Sequence, residues 1–149
     1  MRALLLNLEL ARRVELAEAQ AAVECAEALG RFRPASGAAV RRLAGGFAVY
    51  CGKGSPITQG VGMGLDGPVS PEEFDRLEEF YRSRGEAVRV ETCPLADPSF
   101  IERFAERGYR VTEFSNVMAR QVSPDETCPN HPKASPLKKS RRTRSICGP

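Results

Sequence analysis

The sequence predicts one α/β domain over residues 1–122, a mixed, mostly antiparallel sheet flanked by helices, followed by a disordered basic tail over 123–149. Three observations carry this expectation. Apolar runs at 47–51 and 57–65 are bounded by glycine and proline and have the length of strands. Two capped amphipathic segments, 71–84 and 98–107, flank a run at 87–93 that alternates as a strand does. Hydrophobic periodicity then stops at Ser123.

Composition bounds the class. A chain of 149 residues, 42% apolar, is long enough to bury a core. No run approaches the roughly 18 apolar residues of a membrane span. Asn7 and Glu9 interrupt the apolar start, which makes a poor signal peptide. Cysteines 25, 51, 93, 128 and 147 are odd in number and form no Cys-x-x-Cys, and His131 stands alone. No metal site is expected, and reduced thiols in a cytoplasmic protein are. Six Lys/Arg against two acids give residues 123–149 a charge of +4. Subtracting that from the total of +3 leaves the body at about −1, so the basic character belongs to the tail.

In chain order, residues 7–29 read as a helix. Leu10, Val14, Ala17, Ala21, Cys25 and Leu29 recur at three- and four-residue steps on its inward face, and Gly30 is its stop. A turn at 33–37 leads to a short strand at 40–43, a break at Gly45-Gly46, and a strand at 47–51. The turn at 52–56 precedes a glycine-bearing strand at 57–65; glycines there signal a bulge or a close approach by a backbone or a ligand. Ser70, Pro71 and Glu73 form a helix start, Phe74, Leu77, Phe80 and Tyr81 the buried face, and Gly85 the stop. Val88, Val90 and Thr92 alternate with Arg89, Glu91 and Cys93 as a strand. Asp97 caps the next helix, whose inward residues are Phe100, Ile101 and Phe104, with Gly108 ending it. Residues 109–120 read as a further strand with a bulge between Val111 and Phe114. The basic run at 138–144 has no interleaved aromatic residues, so it reads as solvated tail, and nucleic acid is not the expected partner.

A pyrophosphate needs backbone N–H groups pointing one way and no bulky side chains beside them. Gln59, Gly60, Val61, Gly62, Met63 and Gly64, at a strand end, have the composition for that task. Gln59-x-x-Gly62-x-Gly64 resembles the Gln/Arg-x-x-Gly-x-Gly/Ala loop of the GNAT (N-acetyltransferase) superfamily. Gly-Phe-Ala-Val-Tyr at 46–50 and the helix ending in Gly108-Tyr109 are similar to the segments flanking that loop, so the resemblance covers residues 45–120. The whole is most similar to the N-terminal, often degenerate half of a tandem bacterial GNAT protein. The resemblance implies a GNAT-like fold and transfer of an acetyl group from acetyl-CoA to a primary amine on a small molecule or peptide. Glu91, on the strand after the 71–84 helix, is the candidate base, and Tyr109 or else Cys93 the candidate acid, because the family's tyrosine position holds Phe104. Leu65 to Val69 also separate the loop from the helix that should follow it directly. Two alternatives stand beside this: a non-catalytic half that scaffolds a second GNAT domain, and an interaction module working through the tail. The abrupt change at Ser123 fits one half of a tandem protein or a truncated, frame-shifted product.

With no periodic apolar set of its own, the tail is expected to be dispensable for folding. A chain ending at Val122 should melt within a few degrees of the full chain by circular dichroism. A loss of cooperative melting would place the boundary elsewhere.

Overall fold

The computed structural model describes residues 7–120 together with 122, 123 and 125. The chain divides into two units, Met1–Ala119 and Arg120–Pro149. In the first, in chain order, lie α1 (Leu8–Phe32), β1 (Ala39–Leu43), β2 (Gly46–Tyr50), β3 (Gln59–Val61), α2 (Pro71–Arg82) and α3 (Pro98–Glu106). A short 3-10 turn, Pro34–Ser36, follows α1. The architecture is mixed α/β, with a small antiparallel sheet of order β1-β2-β3. In the second unit, the described residues adopt no helix or strand. The tail expected at 123–149 lies outside the described residues, apart from Ser123 and Asp125.

Asn7 starts α1 by accepting the Leu10 N–H on its side-chain oxygen at 2.8 Å. The helix runs through Gly30, the expected stop, and ends at Phe32. Arg33 precedes Pro34, whose ring disfavours a helical conformation at the residue before it. The inward face also differs from the expectation. Ala11, Ala19, Val23 and Ala26 are buried, whereas Ala17, Ala21 and Cys25 are exposed and Leu10, Val14 and Leu29 only half-buried. Alanines occur all round this helix, so two stripes satisfy the same period. The sheet takes the one with the smaller side chains, which permits a closer approach.

β1 and β2 form a hairpin through a two-residue turn, Ala44 (φ 51°) and Gly45 (φ 81°). Positive φ at both positions matches the twist of the flanking strands. Ala44 is strained there, and its carbonyl is held by the Gly64 N–H at 2.9 Å. β3 pairs with β2 through Phe47↔Val61, Ala48↔Gly60 and Val49↔Gln59. The strand expected over 57–65 is only these three residues long. Gly62 (φ 65°) and Gly64 (φ 74°) turn the backbone out of the extended region.

The helix expected at 71–84 forms over Pro71–Arg82 with its capping box complete. Ser70 Oγ accepts the Glu73 N–H, and Glu73 Oε2 accepts the Ser70 N–H, both at 3.2 Å. Phe74, Leu77, Phe80 and Tyr81 are buried as expected. Tyr81 ties α2 to β2: its hydroxyl accepts the Val49 N–H at 3.1 Å and donates to the Val49 carbonyl at 3.3 Å.

The strand expected at 87–93 is reduced to one parallel bridge, Gly60↔Val90. The Gly60 N–H donates to the Arg89 carbonyl at 2.8 Å and the Glu91 N–H to the Gly60 carbonyl at 2.9 Å. α3 begins at Asp97, whose carboxylate accepts the Ser99 N–H at 3.0 Å. Phe100 is fully buried and Phe104 packs on the core, but Ile101 is 45% exposed. Phe100 and Phe104 share one stripe of this short helix at the four-residue step, and Ile101 lies a residue off it. Residues 109–120 form no strand, and Val111, Phe114, Val117 and Met118 are exposed. The alternation is present, but among the described residues no neighbouring strand takes up the backbone N–H and C=O groups of the segment, and a lone strand is not stable.

Two apolar clusters lie on the two faces of the sheet. On one, Ala19, Val23 and Ala26 of α1 pack against Val49 and Val61. On the other, Ala48, Tyr50 and Met63 pack with Phe74, Leu77, Phe80, Tyr81 and Phe100. The alternation along β2 divides its side chains between the clusters.

Phe80 is 4% exposed, its ring 5.0 Å from that of Tyr81. Phe80→Ala is expected to destabilise the protein by about 3–5 kcal/mol in urea denaturation. A cost under about 1 kcal/mol would mean the site collapses around the cavity or that Phe80 is not core.

Candidate functional site

The glycine loop sits where β3, β2, α1, α3 and the 88–92 segment meet. Each of its glycines is small because another part of the protein lies against it. A Cβ on Gly60 would stand 3.2–3.3 Å from Met63 and Val90. On Gly62 it would meet the Ala19 Cβ at 3.3 Å and the Glu15 carbonyl oxygen at 3.5 Å. On Gly64 it would press into the Phe100 side chain at 2.8–3.1 Å, at a φ that favours glycine. Val61 and Met63 are buried between these contacts.

The backbone donors of the outer glycines are engaged within the fold. Gly60 N–H serves the bridge to Arg89, and Gly64 N–H holds Ala44. The Gly64 carbonyl accepts the Asp97 N–H at 2.6 Å, fixing the start of α3 to the loop. Arg12 of α1 reaches the loop's far end, donating through Nε and Nη2 to the Leu65 carbonyl at 2.9 and 2.6 Å and pairing with Asp66 at 3.4 Å.

Two shallow clefts flank the loop. One, of about 190 Å³, is lined by Arg12, Glu15, Ala19, Gly46 and Gly62. The other, of about 280 Å³, lies between Gly64-Gly67 and Ala96-Pro98. Both fall below the roughly 300–1,000 Å³ usual for sites that enclose a small-molecule ligand.

Gln59 and Glu91 do come together. Gln59 Nε2 donates to Glu91 Oε2 at 3.0 Å across the parallel bridge. Burial, followed by the charge of Glu18, raises the Glu91 carboxyl above the ordinary 4.5; the Gln59 hydrogen bond opposes the rise and Glu113 adds to it. Glu15 belongs to the same cluster. Its carboxyl is raised by burial, then by Glu18 and Glu91, against a lowering hydrogen bond from Cys93. Cys93 is raised in turn, chiefly by burial. Glu15 and Glu18 were not legible as site residues, because α1 reads locally as an amphipathic helix and only its docking brings these carboxylates to Glu91.

Tyr109 lies elsewhere in the packing. Its hydroxyl donates to Glu78 Oε1 at 3.1 Å, and its ring stands 5.2 Å from Phe104 and 5.7 Å from Phe74. Burial, then the Glu78 charge and hydrogen bond, push the phenol well above its usual range. Glu78 is itself 2% exposed and is also held by Arg82 and Arg107, each at 3.0 Å. The structure thus joins Gln59 and Glu91 to the loop and commits Tyr109 to Glu78. Among the described residues no group of His, Cys, Asp and Glu is placed to hold a metal ion, and no helix is long and apolar enough to cross a membrane. No protein family, curated protein or solved structure matches the chain.

The acidic cluster makes a pH prediction. Folding raises the Glu91 and Glu15 carboxyls, so between 4.5 and their folded values the native state binds more protons than the unfolded state. Stability contributed by protonation at low pH is therefore lost as pH rises through that window. Glu72 and Glu86, both lowered by hydrogen bonds, act in the opposite sense, so the comparison must be with a variant. From pH 4.5 to neutrality, the melting temperature of Glu91→Gln is expected to rise relative to the parent. Parallel curves would show that Glu91 titrates alike in both states.

Proposed function

We propose that this chain is a GNAT-type unit acting as the non-catalytic half of a tandem N-acetyltransferase. Support for the GNAT-type fold comes from the order of elements: an antiparallel meander, a glycine turn at the end of β3, a helix, and a return to a segment that pairs parallel with β3. The scaffold role rests on one observation. The Gly60 and Gly64 N–H groups, which a pyrophosphate would need, are bonded to Arg89 and Ala44, and the Phe100 ring lies against Gly64. The loop as folded does not fit the pyrophosphate of acetyl-CoA. In this reading the loop is a packing hub that gives a partner domain a rigid surface.

One observation favours a second reading, in which the chain catalyses acetyl transfer from acetyl-CoA to a primary amine. Glu91 is half-buried, hydrogen-bonded to Gln59 and raised in pKa, the direction in which enzymes tune a carboxylate that serves as a general base. The acidic surroundings of Glu15 and Glu18 would attract an ammonium group.

Calorimetric titration of the full chain with coenzyme A separates the two. The scaffold reading expects no binding at about millimolar ligand, a free energy weaker than roughly −4 kcal/mol. The catalytic reading expects binding, together with a loss of about 10²–10⁴-fold in kcat/KM for Glu91→Gln with coenzyme A affinity retained. Tight binding in the parent overturns the proposal.

A further inference from the structure

The sheet has two edges, and they differ. β1 forms one, and its exposed neighbours Arg41 and Arg42 make it a poor seat for another strand. The other edge is the 89–91 segment. Gly60 bonds to the Arg89 carbonyl and to the Glu91 N–H, so the N–H and C=O of Val90, the residue between them, point away from β3. Among the described residues, no strand lies beyond Val90 to receive them. This edge lies between two layers. Val88 and Val90 pack on the cluster formed with α2 and α3. Glu91 points to the opposite face, where it meets Gln59. Gln59 pairs with Val49, which packs against α1.

The same chain carries a strand-like segment that pairs with no strand among the described residues. In residues 110–119, Phe114 and Met118 are 91% and 94% exposed, and Val111 and Val117 are exposed too. In an extended strand Val111 and Val117 fall on one face, and Phe114 and Met118 on the other. A strand apolar on both faces suits a position between two layers, which is what the Val90 edge offers. Arg110 shares the face of Phe114 and Met118. With that face turned toward α1, Arg110 enters the acidic surroundings of Glu91, and Val111 and Val117 join Val88 and Val90. Within one chain the root of the segment is held elsewhere. The Tyr109 N–H donates to the Phe104 carbonyl at 3.0 Å, and its hydroxyl donates to Glu78 at 3.1 Å.

We propose that two copies of this chain associate by exchange, residues 110–119 of each lying as a strand along the Val90 edge of the other. The inference does not depend on the acetyltransferase reading. The occupant is a second copy because the chain holds both halves of the joint: an open edge between two layers, and a strand apolar on both faces with an arginine for the acidic side. The pairing is self-complementary, so it closes as a two-fold dimer and leaves neither edge nor segment unfilled. The Val90 N–H and C=O gain backbone partners, as in other strand additions. Val111, Phe114, Val117 and Met118 of both copies leave water, which supplies the driving force.

The test uses the full chain. Gel filtration with light scattering is expected to give the mass of two chains, falling to that of one on dilution. In amide hydrogen exchange followed by NMR, Val90 and residues 110–119 should exchange at least about tenfold more slowly in the dimer than in the diluted chain. Phe114→Asp combined with Met118→Asp should raise the dimer Kd at least about tenfold. Both side chains are exposed in the single chain, so the diluted variant should melt like the diluted parent. Should the double variant fail to fold, the exchange pattern of the parent decides alone. A chain that stays monomeric up to about 1 mM overturns the proposal. So does a larger assembly, a dimer in which those amides stay fast, or a dimer that the folded double variant leaves equally tight. Slow exchange at Val90 in a chain of single mass also overturns it, because the segment would then lie on its own edge.

Discussion

The close approach of backbones around the glycine turn is the constraint on which the rest of the structure depends. A Cβ on Gly46 would run into the Val61 carbonyl, and Gly62 and Gly64 admit Ala19 of α1 and Phe100 of α3. These contacts let one short sheet be covered on both faces. With only three residues in β3, the sheet has few ladder hydrogen bonds of its own. Its position is therefore set by what packs against the turn and by the two bonds that the turn exchanges with Ala44 and Asp97. Close-packed interiors respond to a single added methyl group, so Gly46, Gly60, Gly62 and Gly64 act together as one structural element.

A second level of organisation is electrostatic. Two buried or half-buried carboxylates meet different surroundings and do different work. Glu78 is enclosed by Arg82, Arg107 and the Tyr109 hydroxyl, so its charge is compensated and it anchors the end of α3 to α2. Glu91 has Gln59 as its partner and Glu15 and Glu18 as neighbours, so its charge is opposed. The first arrangement is structural. The second raises the carboxyl's affinity for a proton, a direction found often at groups with a chemical role. Proximity in sequence predicts neither: Glu91 draws its neighbours from α1, and Glu78 draws Arg107 and Tyr109 from the end of α3.

The aromatic residues show how one set of side chains closes the far face. Phe74 lies 6.0 Å from Phe100, 5.2 Å from Phe104 and 5.7 Å from Tyr109, all in edge-to-face geometry. Phe104 is part of this packing, and Tyr109 serves as its polar rim. Beyond Tyr109, Val111, Phe114, Val117 and Met118 lie exposed.

Local signals were enough for the class and the punctuation of the chain. Ser70-Pro71-x-Glu73 set the start of α2, Asp97-Pro98 set α3, and the Gly45-Gly46 break marked the hairpin, although the turn itself is Ala44-Gly45 and Gly46 opens β2. Each is decided within a few residues, where capping hydrogen bonds and positive φ compete with little else. The tertiary structure decided what one sequence window leaves degenerate. α1 had two apolar stripes of equal period, and docking on Gly62 selected the alanine one. Residues 87–93 and 109–120 both carried strand alternation, yet only the first found a partner, at Gly60, because a strand exists only where another backbone receives its hydrogen bonds. The glycines at 60, 62 and 64 announced a close approach, but not by what. A ligand and a neighbouring side chain demand the same absent Cβ, and only the folded chain shows Val90, Ala19 and Phe100 filling that space.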